Sequence, residues 1–117
     1  MSSEPGAKHD EGKLRWSLLP TDAIESILRV LEKGAQKYSA GGWEFVPNAR
    51  ERYWNAAQRH LWAWWNGEDN DPEWNLPHLA HAGCCVIFLL ALQLREKQRD
   101  RVVEYSGSSP PIMSRPK

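Results

Sequence analysis

Three histidines are spaced so that their imidazole rings could meet. His78 and His81 are three residues apart and share one face if their segment is helical. His60 stands near the end of an earlier predicted helix and approaches them if the two helices pack antiparallel. Imidazole together with carboxylate suits transition metals such as manganese, iron or zinc. The spacing favours a metal site, and two ordinary hydrogen-bonded histidines at a helix start are the alternative.

An acidic loop, GEDNDPE, comes just before these two histidines. Carboxylate oxygens of this kind hold magnesium or manganese around phosphates. The ligand spacing of a calcium loop is absent. The alternative is a solvated turn, which we favour for Asp69 and Glu73, whereas Glu68 and Asp71 are preferred as metal ligands on the family resemblance given below.

Basic and aromatic side chains elsewhere could bind the phosphates and the base of a nucleotide. An arginine offers a planar fork to phosphate oxygens, and an aromatic ring in the loop after the first predicted helix could stack on a base. Each of these residues is otherwise a surface charge or an aromatic that caps the core. The predicted substrate-binding set consists of Lys13, Lys37, Tyr38, Trp43, Arg59 and His60.

The first helix that must position these residues is predicted over about 22–37. Apolar residues from Ile24 to Ala35 recur at the i, i+3, i+4 and i+7 spacing of one helical face. Asp22 and Glu25 fit a capping box at its start.

A second helix is predicted over about 49–66, with Gly67 as its C-cap. A third is predicted from Leu76 or Pro77 to about Val103, because proline is tolerated in a first turn. The chain shows neither a strand pattern nor an internal repeat. The sequence therefore predicts an all-α class with three to four helices.

The chain has 117 residues, which predicts one domain. We expect a single helical domain over 1–105, with an irregular segment over 1–20 that packs on the body, and a disordered tail over 106–117 that is rich in Ser, Pro and Gly. Fifteen basic and fifteen acidic residues balance, so charge gives no argument for nucleic acid or membrane as a partner. The polar N-terminus lacks the apolar core of a signal peptide, and we expect a cytoplasmic protein.

The third predicted helix is apolar on every side between Ala82 and Leu92. A helix of this kind is buried on every side, and two other helices cannot surround it. The run is about half of the roughly 20 residues that span a bilayer, so a membrane span is not expected. We therefore predict a homo-oligomer that is assembled through 82–92.

Four segments in this order resemble one family of small phage and bacterial proteins: KHDEGKLRWSLLP, VLEKGAQKY with a following GGW, AAQRHLWAWWNGEDNDPE and LPHLAHAGCCVIFLLAL. That family is the dATP/dGTP diphosphohydrolase N-terminal domain, which is placed near the MazG-like all-α NTP pyrophosphatases. The resemblance implies a helical dimer or tetramer in which carboxylates hold magnesium or manganese. It also implies that water attacks the triphosphate and that pyrophosphate leaves.

The chain departs from the MazG pattern at both carboxylate motifs. Only Glu32 stands where an ExxE pair is expected, and HLAH (78–81) stands where ExxD is expected. Neutral nitrogens in place of carboxylates weaken a magnesium site and favour softer metals. Either the metal differs, or the ligands come from Glu68 and Asp71, or catalysis is absent. On the resemblance we expect Glu32 or Glu68 to orient water as the catalytic residue and Glu32, Glu68 and Asp71 to bind the metal, and on their spacing we add His78 and His81 as metal ligands.

Three functions remain open at this point. The first is a metal-dependent diphosphohydrolase that releases pyrophosphate from a purine nucleoside triphosphate, encoded by a phage and working in the host cytoplasm. The second is a protein that binds a nucleotide without cleaving it, such as a sponge for a cyclic signalling nucleotide. The third, a phosphohydrolase of the HD type, ranks last because the only His-Asp pair is His9–Asp10, in the irregular segment.

Overall fold

Three α-helices carry the fold: α1 (Thr21–Lys37), α2 (Ala49–Trp65) and α3 (His78–Tyr105). Short 3-10 helices lie at Trp16–Leu18 and Gly42–Phe45. The structure is a computed structural model that describes Gly6 and residues 9–105, with side chains up to residue 101. No strand occurs in this part of the chain, and the predicted all-α class is confirmed. The predicted tail over 106–117 lies outside the described residues.

The helix bounds agree with the predicted ones to within about two residues, but the capping box of α1 is wrong. The N-cap of α1 is Pro20, which has no side chain to accept a hydrogen bond. Asp22 Oδ1 instead accepts the N–H of Ala23 at 2.8 Å, and Glu25 pairs with Arg29 at 2.7 Å. Proline can stand at this position because the first N–H groups of the helix can donate to water and need no side-chain acceptor.

The core is small and lies where α3 packs against α1. Its buried residues are Val30, Ala80 and Cys84. A Cβ built on Gly83 would lie 2.9 Å from Ile27 Cδ1, so the two helices approach closely at this glycine. Small residues on α3 thus set the spacing between the helices. Partly buried side chains surround this centre, namely Ile27, Leu31, Trp74, Leu76 and Phe88.

Within a single chain, α3 is not buried on every side. Ala82, Cys84 and Cys85 are buried, but Val86 is 55% exposed and Leu90 is 53% exposed. The sequence prediction of all-round burial is therefore not met by one chain alone. From His78 to Arg101 the helix is also long and apolar enough to cross a membrane, which is weak evidence because core helices pass the same test.

The irregular segment that precedes α1 does not pack on the body as predicted. Leu14 is 82% exposed, and Trp16 and Leu18 are also exposed. Local backbone hydrogen bonds close the short 3-10 turn, from Leu18 N–H to Arg15 O at 3.1 Å and from Leu19 N–H to Trp16 O at 3.1 Å. These apolar side chains therefore add to the exposed apolar surface of the chain.

Candidate functional site

The three histidines meet where the end of α2 lies beside the start of α3. His60 Nδ1 and His78 Nδ1 are 2.8 Å apart. The ring of His60 also stacks on His81, with centroids 4.3 Å apart and planes 5° from parallel. The helical spacing of His78 and His81 and the antiparallel neighbour α2 together produce this contact.

Each histidine of α3 has its own carboxylate from the loop between α2 and α3. Glu68 Oε1 lies 2.5 Å from His78 Nε2, and Asp71 Oδ1 lies 2.8 Å from His81 Nε2. His78, His81 and Asp71 are buried, whereas the side chain of Glu68 is 54% exposed. These five residues, His60, Glu68, Asp71, His78 and His81, are called the histidine cluster below.

Asp71 also builds the loop that leads into α3. Its Oδ2 accepts the N–H of Trp74 at 2.6 Å, and its Oδ1 accepts the N–H of Leu76 at 3.0 Å. Burial raises the pKa of the Asp71 carboxyl, but the two backbone N–H donors and His81 outweigh it and lower the pKa to about 2. Both oxygens of an ionised carboxylate are therefore already engaged by donors.

His60 is neutral at physiological pH. Burial and the neighbouring His81 and His78 lower its pKa to about 4. A neutral imidazole has one nitrogen with a hydrogen and one with a lone pair. The cluster thus presents an uncharged imidazole beside two carboxylate-bound ones.

A second group of side chains ties the end of α1 to the same loop. Lys37 Nζ lies 3.3 Å from Glu73 Oε1 and 5.7 Å from the centre of the Trp74 ring. The hydrogen bond to Glu73 and the nearby Tyr38 raise the pKa of Lys37. Trp74 in turn lies 5.6 Å from His81, measured between ring centroids. Of the predicted phosphate-binding residues, Lys37 is therefore joined to the cluster through one aromatic ring.

Tyr38 and Arg59 are both exposed beside this region. Tyr38 is 74% exposed, and its ring centre lies 5.4 Å from Lys37 Nζ, so the ring remains open to a ligand. Arg59 adjoins His60 in the chain, and its charge contributes to the lowered pKa of that histidine. Both side chains are therefore accessible to a ligand, and their role in binding a nucleotide stays a prediction.

Trp43 is placed differently from its predicted role. Its ring stacks on Phe88 with centroids 4.6 Å apart, and the guanidinium of Arg95 lies 5.0 Å from its centre. Its carbonyl accepts the hydroxyl of Tyr53 at 2.7 Å. Trp43 therefore packs the 3-10 helix onto α3, and its ring is occupied by neighbours from its own chain.

Glu32 and Lys13 lie apart from the histidine cluster. Glu32 is exposed on α1 and lines a cavity of about 240 Å³ together with Arg29, Lys33 and Leu76. Lys13 is exposed in the segment before α1, and among the described residues no side-chain hydrogen bond or ion pair joins it to the cluster. The structure thus divides the predicted metal ligands between two places.

The donor set of the cluster does not fit a magnesium site built from carboxylates. Magnesium takes oxygen ligands in near-octahedral geometry, but both oxygens of Asp71 already accept hydrogen bonds, and Glu68 is bound to His78. Among the residues that the structure describes, no three His, Cys, Asp or Glu side chains are arranged to hold one ion. The imidazole nitrogens are the donors that remain, and they suit transition metals.

Sequence reasoning missed the role of Asp71 in the loop. The residue precedes Pro72 and accepts the N–H of Trp74, three positions on. An aspartate that caps the backbone a few residues ahead is a common turn former, so Asp-Pro was a local signal for this arrangement.

Comparison with known proteins gives two matches. Residues 3–102 match the family described as "dATP/dGTP diphosphohydrolase, N-terminal". A curated protein of Salmonella phage PMBT28 is named dATP/dGTP diphosphohydrolase and is 34% identical to this chain over an alignment 116 residues long. The alignment covers 92% of this chain and 39% of that protein. The chain thus spans well under half the length of this relative. No solved structure matches the chain.

Proposed function

This chain belongs to the dATP/dGTP diphosphohydrolase N-terminal family, and we propose on that premise that it hydrolyses a purine deoxynucleoside triphosphate. The products would be the nucleoside monophosphate and pyrophosphate. The relative's name supplies the substrate class, and the longer relative contains sequence that this chain does not cover. The proposal therefore assigns the activity to the part that the two proteins share.

The histidine cluster is the observation that supports this proposal. It gathers three imidazoles and two carboxylates where two helices and a loop meet, and such a convergence is typical of sites that move protons or hold phosphate. Glu68 is the one carboxylate of the cluster that stays about half exposed, so it can accept a proton from a water molecule. Asp71 holds His81 in place, because it accepts the Nε2–H of that ring.

Cations beside the cluster would bind the triphosphate. Lys37 lies one aromatic ring away from His81, and Arg59 is exposed next to His60. An arginine fork and a lysine point charge are common partners of phosphate oxygens. The exposed ring of Tyr38, beside Lys37, is the candidate contact for the base.

We also propose that the reaction depends on a divalent metal ion. Such an ion, when bound, would neutralise phosphate charge and lower the pKa of a bound water. The imidazole nitrogens of the cluster are its candidate ligands, because the carboxylate oxygens of Asp71 are already engaged.

We also propose that the protein forms a homo-oligomer through α3. Leu79, Val86, Leu90 and Leu94 recur at spacings of seven and four, which form one stripe along α3, and all four are exposed in the single chain. Exposed apolar stripes of this kind typically mark protein interfaces. We therefore place the predicted interface on this stripe and not on Ala82, Cys84 and Cys85, which are buried against the chain's own helices.

A second candidate function is nucleotide binding without cleavage. One observation favours it, namely that the described residues contain no arranged set of three metal ligands. In this case Lys37, Tyr38 and Arg59 would bind the ligand, and the cluster would only hold the loop. The ligand would then be recovered intact.

A nucleotide screen separates the two functions. The purified chain is incubated with dATP, dGTP and the ribonucleotides in magnesium, manganese, cobalt or zinc, and the products are identified by mass spectrometry. Monophosphate and pyrophosphate support the hydrolase, whereas a ligand that stays bound and intact supports sequestration. Neither turnover nor binding with any of these ions would refute both functions.

A further inference from the structure

The nitrogens His60 Nδ1 and His78 Nδ1 face each other at 2.8 Å, which is hydrogen-bonding distance. Such a contact holds one proton, because two lone pairs would repel and two N–H groups would collide. One nitrogen therefore donates and the other accepts. A metal cation can bind both nitrogens once the proton on His60 Nδ1 has moved to His60 Nε2, which keeps that ring neutral and leaves a lone pair on each Nδ1.

The other ring nitrogen of His78, Nε2, is already held by a carboxylate, which suits a histidine that binds a metal ion through Nδ1. Its Nε2 lies 2.5 Å from Glu68 Oε1. A carboxylate that accepts one ring N–H fixes the tautomer and makes the other nitrogen more basic, and metal-bound histidines are typically held in this way. Glu68 thus leaves His78 Nδ1 as the nitrogen with the lone pair.

The ring of His60 is held by its neighbours as well. It stacks on His81 with centroids 4.3 Å apart and planes 5° from parallel. His81 is fixed in turn by Asp71, at 2.8 Å. Both nitrogen donors therefore belong to rings whose orientation is set by packing and carboxylates, which lowers the cost of ordering a metal site.

We propose that His60 and His78 bind a transition-metal ion through their Nδ1 atoms, with Glu68 as the residue that orients His78. Nitrogens about 2.0–2.1 Å from a tetrahedral ion lie roughly 3.3 Å apart, so the pair opens by about half an ångström. No third donor is arranged with them among the described residues, which leaves the other positions to water or phosphate oxygens. Two imidazoles favour cobalt, nickel, copper or zinc over magnesium.

This inference deepens the proposed function, since it names the class of ion that the same site would use. It also reassigns two predicted ligands. Glu68 and Asp71 act on the histidines and not on the ion, and His60, expected to bind substrate, becomes a ligand. The test uses nucleotide-free protein, so it does not depend on turnover.

The full chain is stripped with a chelator and titrated with cobalt(II), while visible d–d absorption and bound metal per chain are measured. We expect one cobalt per chain, displaced by zinc(II) and retained in excess magnesium. His60→Gln removes the absorption band. Glu68→Gln weakens binding by about 10- to 100-fold, as expected for a residue that orients a ligand. The control His9→Gln, at an exposed histidine outside the cluster, binds as the wild type does.

Circular dichroism verifies that each variant is folded. If His60→Gln does not fold, the cobalt affinity of Glu68→Gln tests the inference instead. This variant is expected to fold, because the side chain of Glu68 is half exposed. A folded wild type that binds neither cobalt nor zinc overturns the inference, as does a Glu68→Gln variant with unchanged affinity. Metal binding without turnover would refute only the proposed hydrolase, whereas turnover in magnesium without any transition-metal binding would refute only this site.

Discussion

His81 Nε2 lies 2.8 Å from Asp71 Oδ1, and this contact joins the first turn of α3 to the loop that precedes it. Asp71 at the same time accepts the backbone N–H groups of Trp74 and Leu76. One buried carboxylate therefore fixes both the loop and a ring of the histidine cluster. Stability and site geometry depend on the same residue.

Asp71→Asn is expected to destabilise the fold by about 2–4 kcal/mol, because several hydrogen bonds to a charged acceptor are weakened and an amide N–H₂ would meet other donors. Chemical denaturation measures the change. The matched control is Asp69→Asn, at an exposed position in the same loop, where we expect a change within about 0.5 kcal/mol. Equal stabilities of the two variants would contradict the structural role of Asp71.

The pKa of His60 predicts a loss of stability in mild acid. In metal-free protein, the unfolded chain takes up a proton near pH 6.5, whereas folded His60 does so only near pH 4. The unfolded state thus binds more protons in this window, and stability falls as the pH drops from about 6.5 to 4. Asp71 acts lower, because its stabilising contribution is lost between 3.8 and about 2.

Denaturation midpoints between pH 7 and 4.5 test this point. His60→Gln should flatten the slope, and His9→Gln should leave it unchanged. A slope that persists in His60→Gln would mean that other groups cause the acid sensitivity.

The exposed stripe of α3 predicts an assembly. Wild-type protein is expected to be larger than a monomer in multi-angle light scattering, and Val86→Asp or Leu90→Asp should dissociate it, because a charge would be buried in an apolar interface. The control Gln98→Asp lies on the exposed polar end of the same helix. Phe88 is a poor choice for this test, since it packs on Trp43 and Tyr53 in its own chain. A monomeric wild type would rule out this interface.

The two cysteines report on the packing of α3. Burial and the neighbouring Cys85 raise the pKa of the Cys84 thiol to about 12, and burial also raises the pKa of Cys85. Because the thiolate is the reactive form, a disulfide reagent should modify the native protein slowly and the denatured protein rapidly. Fast modification of both thiols in native protein would show that α3 is not packed as described.

Local sequence information was enough to predict the three helices, through the apolar stripe of α1, the glycine that follows α2 and the proline that precedes α3. It also placed His78 and His81 on one face, because that relation depends only on helix geometry. The stacking of Trp43 on Phe88 could not be predicted in this way, because the two residues are far apart in sequence and meet only through tertiary packing.

The same limit applies to the carboxylates. A row of acids before two histidines resembles a set of metal ligands, and the sequence does not reveal which acids are bound to backbone N–H groups or to imidazole. Asp71 is buried and accepts three hydrogen bonds, whereas the side chain of Glu68 is half exposed. That difference arises from the path of the loop, which brings the N–H groups of Trp74 and Leu76 back to Asp71.

The central claim is that the histidine cluster hydrolyses a nucleotide, and product analysis of one set of variants tests it most directly. Wild type, His60→Gln and His9→Gln are each incubated with dGTP or dATP and a divalent ion, and the products are read by mass spectrometry. We expect monophosphate and pyrophosphate from wild type and His9→Gln, and much slower release from His60→Gln, because a proposed metal ligand is lost. Folded wild type that leaves every nucleotide intact, or a His60→Gln variant that is fully active, would contradict the claim.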